Sequence, residues 1–443
     1  MKKNTENDNL MEKIVSLCKR RGFVYQGSEI YGGLAGTWDY GPLGVALKKN
    51  IENLWWKRFV LDREDMYGMD AAILMNQNVW KASGHVAGFA DPLVECPKCK
   101  QRYRADHIEV VDGVQYCPKD KQVLGKPRQF NMMFKTHIGA MEDDSAVSYL
   151  RPETAGGMFV NFKNVMDSFH PRLPFGMAQI GKAFRNEIAP RDFIFRVREL
   201  EQMEIEYFVK PETWQENFES FRKEVHEFTK DVGISQEKVH ELEVADGDRA
   251  HYSKRTIDFE FDFPFGKSEL YGLVYRTDFD LKSHSVASKV DLTYFDEETK
   301  ERFLPHVIEP SFGVGRTMLA VLTDAYTEDV LGDETRVYLK FSPKVAPVIA
   351  AVFPLLKNKP ELVAKAREVF SELKKEFGRV MFDDNGNIGK RYRRQDEIGT
   401  PFCITVDFET LENDAGVTVR DRDTGKQERM KISELVSFIK SHI

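Results

Sequence analysis

Residues 174–187 read PFGMAQIGKAFRNE, and residues 195–208 read FRVRELEQMEIEYF. Side chains of an extended strand alternate between its two faces. The first stretch therefore presents Gln179, Arg185 and Glu187 together, and the second presents Arg196, Arg198, Leu200, Gln202 and Glu204. Residues 188–194 contain Pro190 and predict a loop, which lays the two strands side by side. Arginine forks neutralise phosphate oxygens through paired hydrogen bonds, and a carboxylate beside them accepts an amine. A hairpin with a solvated, salt-bridged face has the same pattern, so this stretch alone leaves both readings open.

Two further segments carry related chemistry. Residues 306–322, HVIEPSFGVGRTMLAVL, run from an apolar strand through a glycine-rich turn into a helix that has Arg316 in its first turn. Exposed amides at such a helix start, with an arginine beside them, suit a phosphate anion, although most glycine-rich turns are structural. Residues 149–157, YLRPETAGG, place Glu153 in a turn and Thr154 where it can cap a following helix.

Composition sets the wider limits. With 443 residues, 42% of them hydrophobic and 30% charged, the chain is long enough for two or three domains. A net charge of −7, a pI near 5.9 and a mean hydropathy of −0.46 exclude a histone-like polybasic binder. They leave room for a nucleic-acid partner bound through a local basic patch. Met1–Leu10 is polar and lacks the apolar core of a signal peptide. The most apolar run, Val345–Leu356, is short and interrupted by Pro347 and Pro354, so no membrane helix is expected. Gly41-Pro42 opens an amphipathic helix with Leu43, Leu47, Ile51, Leu54, Trp55 and Phe59 on one face.

Taken together, the Arg-Asn-Glu strand, the loop, the returning strand and the strand–helix with Gly-x-Gly-Arg resemble motifs 2 and 3 of the class II aminoacyl-tRNA synthetases. The intervening wording narrows the likeness. TWDYGPLG (37–44), SGH (83–85), FNMMFKT (130–136), RPET (151–154), YRTDFDL (275–281), EPSFG (309–313) and KRYRRQDEIGTPFC (390–403) are similar to the dimeric glycyl-tRNA synthetases, from about Ile14 to the C-terminus. The resemblance implies an α+β fold: an antiparallel-sheet catalytic domain over residues 1–331 and an anticodon-binding α/β domain over 332–443. It also implies ATP-dependent activation of glycine with Mg²⁺, transfer to tRNA(Gly), a homodimer with motif 1 (Met66–Leu74) at its interface, and a cytoplasmic location. Gly332-Asp333-Glu334 reads as the linker, and residues of about 209–260 as a helical insertion.

Carried over by position, the resemblance implies an ATP site of Arg185, Asn186, Glu187, Phe195, Arg196, Val197, Arg198, Glu199, Leu200, Glu269, Leu270, Gly313, Val314, Gly315 and Arg316. Arg185 would hold the α-phosphate, Arg316 the γ-phosphate, and Glu187 would sit near the adenine; these three form the implied catalytic set. The implied glycine site is Arg104, Glu153, Leu200, Glu201, Gln202, Met203, Glu204, Arg276, Glu309, Pro310, Ser311, Phe312 and Gly313. Three positions depart from the family's wording: Gly156, Leu200 and Gly315 stand where Gln, Phe and Glu are usual. They bear on affinity and rate more than on identity.

The segment 95–126 is a separate Cys-rich module. Cys96-x₂-Cys99 and Cys117-x₂-Asp120 have the spacing of paired zinc knuckles, with Asp120 or His107 available as a fourth ligand beside three thiols. A ribbon that keeps its thiols without metal has the same sequence. Cys18 and Cys403 read as buried apolar residues. Near the C-terminus, Lys390, Arg391, Arg393 and Arg394 flank Tyr392 and read either as a phosphate-contacting patch or as a solvated charged turn. Two rival functions stay open on the sequence: a non-catalytic nucleic-acid-binding paralogue on the same scaffold, and an amino-acid ligase acting on another carrier.

Overall fold

The computed structural model describes residues 5–140, 143, 146–250, 252–412 and 416–443; the first four residues of the polar N-terminal stretch lie outside them. The N-terminal part supplies α1 (Thr5–Arg21), α2 (Pro42–Trp56), β1 (Met66–Gly68) and α3 (Gln77–Ala82). Strands β2 (Ala90–Glu95), β3 (Arg102–Arg104) and β4 (Arg128–Asn131) carry the Cys-rich module. Then come α4 (Ala155–Phe169), β5 (Phe175–Phe184), β6 (Glu199–Val209), α5 (Trp214–Asp231), β7 (Val239–Glu243), β8 (Arg255–Phe263), β9 (Gly266–Thr277), β10 (His306–Gly313) and α6 (Val314–Ala325).

Seven of these strands form one sheet in the order β7-β8-β9-β10-β6-β5-β1, antiparallel except for the β5–β1 pair. Strand alternation divides its two faces. One face presents Met203, Ile205, Tyr207, Tyr271 and Phe312, which pack with Ile51, Trp55 and Phe59 and with Phe221, Val225 and Phe228 of α5. Trp55 is fully buried 6.0 Å from Phe312, so this tryptophan is core. The other face is covered only in part, where Met158, Phe159 and Phe162 of α4 meet Phe175, Met177, Phe208 and Val307. Beyond that cover the same face carries polar groups.

Several expectations are corrected. The segment expected as a helical insertion at about 209–260 is helical only through α5; its second half, β7 and the start of β8, extends the large sheet. Ile257, Phe259 and Phe261 alternate with Asp258 and Glu260, which is strand period rather than helix period. The motif 1 stretch is strand only at β1, with an isolated bridge from Leu74 to Leu150. Gly332-Asp333-Glu334 is not an open linker. It turns the hairpin between β11 (Tyr326–Leu331) and β12 (Glu334–Leu339), with Gly332 at a φ of 66°.

The C-terminal part supplies β13 (Ala350–Pro354), α7 (Pro360–Phe377), β14 (Val380–Phe382), α8 (Ile388–Ile398), β15 (Phe402–Val406), β16 (Gly416–Asp421), β17 (Gln427–Lys431) and α9 (Leu435–Lys440). Its sheet has the order β14-β13-β15-β16-β17, parallel around β13 and antiparallel thereafter. The basic run lies on α8 and is mostly engaged internally. Buried Arg391 donates to the Gly386 carbonyl at 2.7 Å and to the Pro354 carbonyl. Arg393 pairs with Glu334 and Arg394 with Asp383, each at 2.7 Å. A helix packed on a sheet points half of any charge run inward, and here the inward charges find carbonyls and carboxylates.

Hairpin and C-terminal sheet are joined by a buried charge network. Asp396 accepts from Arg420 at 2.8 and 3.0 Å and from Arg336 at 3.4 Å, and all three side chains are essentially inaccessible. Removing the carboxylate strands buried Arg420, while Arg336 keeps Asp329 at 2.6 Å; leaving a buried charge unpaired typically costs ~3–5 kcal/mol. Asp396→Ala should therefore lower stability by about that amount in denaturant unfolding, with Asp396→Asn in between. A loss within error for the alanine variant would show that Arg420 needs no carboxylate and that Asp329 and the backbone carbonyls suffice for Arg336.

Candidate active site

The polar part of the large sheet is assembled by register. Glu204 on β6 lies opposite Gln179 on β5 and Ser311 on β10. Its carboxylate accepts from the Thr154 and Ala155 amides at 2.9 and 3.1 Å, from Thr154 Oγ1 at 2.5 Å, from Gln202 Nε2 at 2.7 Å and from Ser311 Oγ at 2.9 Å. Thr154 thus makes no side-chain cap of its own; Glu204 takes the free amides at the start of α4, where the helix dipole favours an anion.

Two bulges in β9 aim further residues at this face. The register shifts between Tyr275 and Thr277 leave Arg276 as the extra residue, and those between Phe259 and Glu260 leave Leu270 without a direct partner on β8. Bulges of this kind redirect a side chain. Arg276 is 1% exposed and clamps Asp280 through two hydrogen bonds of 2.7 and 2.9 Å, with Glu309 at 2.8 Å. Tyr252 stacks on its guanidinium at 3.9 Å. Beside it, Glu153 meets His85 Nε2 at 3.3 Å. Burial opposes charge on Glu153, but His85, Arg276 and Arg185 outweigh it and hold that carboxyl down to about 2.

Glu206 differs from its neighbours. It is fully buried, and neither carboxylate oxygen has a hydrogen-bond partner. Burial first, and then the nearby Glu309 carboxyl, push it well above the carboxylate range. The same burial moves Glu309 up to about 8, opposed by Arg276. Because Arg276 favours charge on Glu309, the pair's proton resides on Glu206.

Above this floor opens a cleft of about 280 Å³. Arg185, Glu187, Phe195, Arg196, Val197, Leu200, Glu269, Leu270, Gly313, Gly315 and Arg316 line it from the expected ATP set, and Arg104, Glu201, Gln202 and Ser311 from the expected glycine set. Arg316 lies over the Phe195 ring at 4.5 Å and meets the Glu269 carboxylate at 3.0 Å. Arg185 donates to the Pro152 carbonyl at 3.1 Å, and one oxygen of Glu187 is buried without a partner. Arg104 reaches in from the Cys-rich module, held by Asp91 and Asp106 at 2.6 Å each.

Other expected residues point elsewhere. Met203, Phe312 and Val314 are in the helix-covered core, and Pro310 follows them by alternation. Arg198 ties the Ala35 carbonyl to that of Glu187, Glu199 pairs with Lys182 at 2.9 Å, and Asn186 does not border the cleft. Tyr40, Met132 and Ile194 line the cleft without having been expected to. Tyr40 and Met132 sit inside quoted motifs, and Ile194 in the loop between the two strands. Glu206 shares a face with Glu204 by simple alternation.

Two of the three departures, Gly156 and Gly315, have local explanations, and nothing in the structure explains Leu200. A Cβ on Gly156 would come within 2.9 Å of the Trp80 ring, so Trp80 occupies the space beside it. A Cβ on Gly315 would lie 2.9 Å from the Ile194 carbonyl, and Leu200 borders the cleft itself.

In the Cys-rich module, Cys96, Cys99, Cys117 and Asp120 bring their donor atoms within 4.8 Å of one another. Cys99 and Cys117 sulfurs are 3.7 Å apart, and Asp120 is 3.4 Å from Cys96. Ligands on a tetrahedral zinc with Zn–S of ~2.3 Å stand ~3.8 Å apart, so the donor set fits that ion. His107 is not part of the group.

The arrangement has counterparts among known proteins. The class II core domain of tRNA synthetases (G, H, P, S and T) matches residues 134–325, and the anticodon binding domain matches residues 350–442. A glycine–tRNA ligase of Clostridium acetobutylicum is 50% identical over 465 residues, covering 99% of this chain and 100% of that one. The chain belongs to the glycine–tRNA ligase family. Glycine–tRNA ligases of Bacillus anthracis and Thermobifida fusca are 50% and 48% identical, each over at least 97% of both chains. The fold extends further: prolyl-tRNA synthetase of Giardia lamblia, solved with prolyl-adenylate, superposes with a TM-score of 0.70 at 17% identity, over 97% of this chain and 76% of that one.

A neutral Glu206 has a signature. Its folded-state value lies above the ordinary 4.5, so the native state keeps a proton that the unfolded chain gives up. That contribution is complete below the ordinary value and is lost as pH rises towards the folded one. Glu206→Gln, which copies the neutral form, should match the wild type within about 1 kcal/mol at pH 5 and gain on it as pH rises to 8. Infrared spectra of the wild type should show a protonated carboxyl band that the variant lacks; absence of that band would mean that Glu206 is ionised.

Proposed function

We propose that this protein activates glycine with ATP, forming glycyl-adenylate and pyrophosphate, and then transfers the glycyl group to the 3′ end of tRNA(Gly). One observation carries the reading: an arginine-lined cleft, with Arg185, Arg196 and Arg316, opens onto a floor of buried carboxyl groups. The first half suits a triphosphate and the second an ammonium group.

In the first step the glycine carboxylate attacks the α-phosphorus of ATP in line, and pyrophosphate leaves. Positioning and charge neutralisation carry such a step. Arg185 is assigned to the α-phosphate and Arg316 to the γ-phosphate, with Glu187 accepting from the adenine. Mg²⁺ arriving with ATP would be held by Glu269, a carboxylate at the cleft edge, and would neutralise phosphate charge. Glu153 and Glu309 supply negative charge to the ammonium, with Ser311 and Glu204 completing its surroundings. Gln202 and Ser311 line the cleft, and both donate to the buried Glu204. A side chain on the amino acid would have to displace these walls, and overpacking typically costs ~1–3 kcal/mol.

In the second step a hydroxyl of the tRNA's terminal ribose attacks the glycyl carbonyl and AMP leaves. The C-terminal part, matched to an anticodon-binding domain, would hold the other end of the tRNA, where unstacked bases are met by stacking and edge hydrogen bonds. The family reading also implies a homodimer and a place in the cytoplasm. Zinc on Cys96, Cys99, Cys117 and Asp120 would brace the module that carries Arg104.

Amino-acid-dependent ATP–pyrophosphate exchange tests the reading. Exchange should occur with glycine alone among the twenty amino acids, and Arg185→Ala should reduce it by at least about 10²-fold. No exchange with any amino acid would leave the non-catalytic binding protein in its place. Elemental analysis should find about one zinc per chain; less than roughly a tenth of an equivalent would overturn the metal assignment.

A further inference from the structure

The Ser-Gly-His turn at residues 83–85 has no task in the mechanism above, yet it packs against Glu153. Ser83 is 5% exposed, and the His85 side chain 11%. Gly84, at a φ of 84°, reverses the chain after α3 so that Ser83 and His85 converge. Ser83 Oγ lies 2.8 Å from His85 Nδ1, and His85 Nε2 lies 3.3 Å from Glu153 Oε2. Both ring nitrogens are therefore engaged, and the second contact ends on a carboxylate assigned to glycine. A carboxylate oxygen only accepts, so the contact with Glu153 places a proton on Nε2, and Nδ1 faces the Ser83 hydroxyl.

The ring has little freedom to leave this position. Trp80 meets it edge-on at 5.6 Å and Phe89 at 5.4 Å. Trp80 in turn rests on the backbone of Gly156, in the first turn of α4 behind Glu153. Asn131 Nδ2 holds the His85 and Val86 carbonyls at 3.2 and 2.9 Å.

We propose that His85 is a positioning residue for glycine activation: its Nε2–H fixes the Glu153 carboxylate in the orientation that meets the ammonium group of glycine. The inference rests on the reading of Glu153 as an ammonium ligand. Arg276 and Arg185 also attract Glu153. Loss of the imidazole would leave the carboxylate to those two arginines.

The test is ATP–pyrophosphate exchange by the full chain, with glycine and ATP varied separately. His85→Ala should raise KM for glycine about tenfold or more, the usual effect of losing a hydrogen bond to a charged group, and leave KM for ATP within about twofold. His85→Gln, whose amide N–H points at the same carboxylate, should restore most of the loss, as should added imidazole with His85→Ala. Ser83→Ala, a milder change, should move KM for glycine in the same direction. In a Glu153→Gln background the effect of His85→Ala should vanish. A normal KM for glycine in His85→Ala, or equal rises in both KM values without rescue, would overturn the proposal. If Glu153→Gln raises KM for glycine while the His85 and Ser83 variants do not, this inference alone fails. If Glu153→Gln leaves that KM unchanged, the reading of Glu153 fails and the inference with it.

Discussion

The site depends on one buried carboxylate. Glu204 is 2% exposed and takes five donors from three directions: the α4 amides and hydroxyl, Gln202 on its own strand, and Ser311 on β10. A carboxylate offers about four lone-pair directions, so these partners fill it. It fixes the start of α4, and with it Glu153 one residue before Thr154, against the strand that carries Ser311 and Glu309. An uncharged side chain in its place would leave the helix amides and two polar side chains short of an acceptor in a dry setting. Glu204 is thus first a joint between helix and sheet, and only through that a part of the proposed glycine site.

From that joint, strand geometry distributes the remaining roles. Alternation sends Leu200, Gln202, Glu204 and Glu206 to one face of β6 and Met203, Ile205 and Tyr207 to the core. The bulges in β9 then bring Leu270 and Arg276 to the same side. The arginines proposed for phosphate come from outside the sheet: Arg185 past the end of β5, Arg196 from the loop before β6, and Arg316 from the first turn of α6. Buried strands hold the carboxyl groups where precision and dryness matter. Strand ends and loops hold the arginines where a large charged ligand must enter.

The sequence made the β5–loop–β6 unit and the β10–α6 turn legible, because a two-residue period and a glycine-bounded helix start are local patterns. It misassigned what depends on partners. The contiguous expectation from Glu199 to Glu204 and from Glu309 to Val314 ignored the alternation that buries Met203, Pro310 and Phe312 and puts Val314 in the core. The helical insertion expected over about 209–260 ran on past α5 into β7 and β8, whose pairing with the large sheet is a long-range contact that local pattern does not carry. Gly332-Asp333-Glu334 has the composition of a linker and of a hairpin turn alike; pairing of β11 with β12 decides it. The basic run on α8 could not announce that Arg391 and Arg394 would be consumed by Gly386 and Asp383, since those contacts arise only when α8 docks on its sheet.

Charge explains why so polar a floor is tolerated. Glu153, Glu204, Glu206, Glu309 and Asp280 are all buried there; Arg276 lies among them, Arg151 is buried on the Glu204 side, and His85 stands at the margin. Five ionised carboxylates against so few cations would be prohibitively unstable at low dielectric. Three features lower that cost. Glu204 is neutralised by helix amides and hydroxyl donors, Asp280 is consumed by Arg276, and Glu206 keeps its proton. What remains is Glu153 with only an imidazole, and Glu309 sharing Arg276 with Asp280. Glu153, Glu309 and Asp280 against Arg276, with a neutral imidazole, leave an excess of about two negative charges, which suits a cation. Every amino acid carries an α-ammonium group, so charge explains why an amino acid is held there, and the choice of glycine rests on the walls, Gln202 and Ser311.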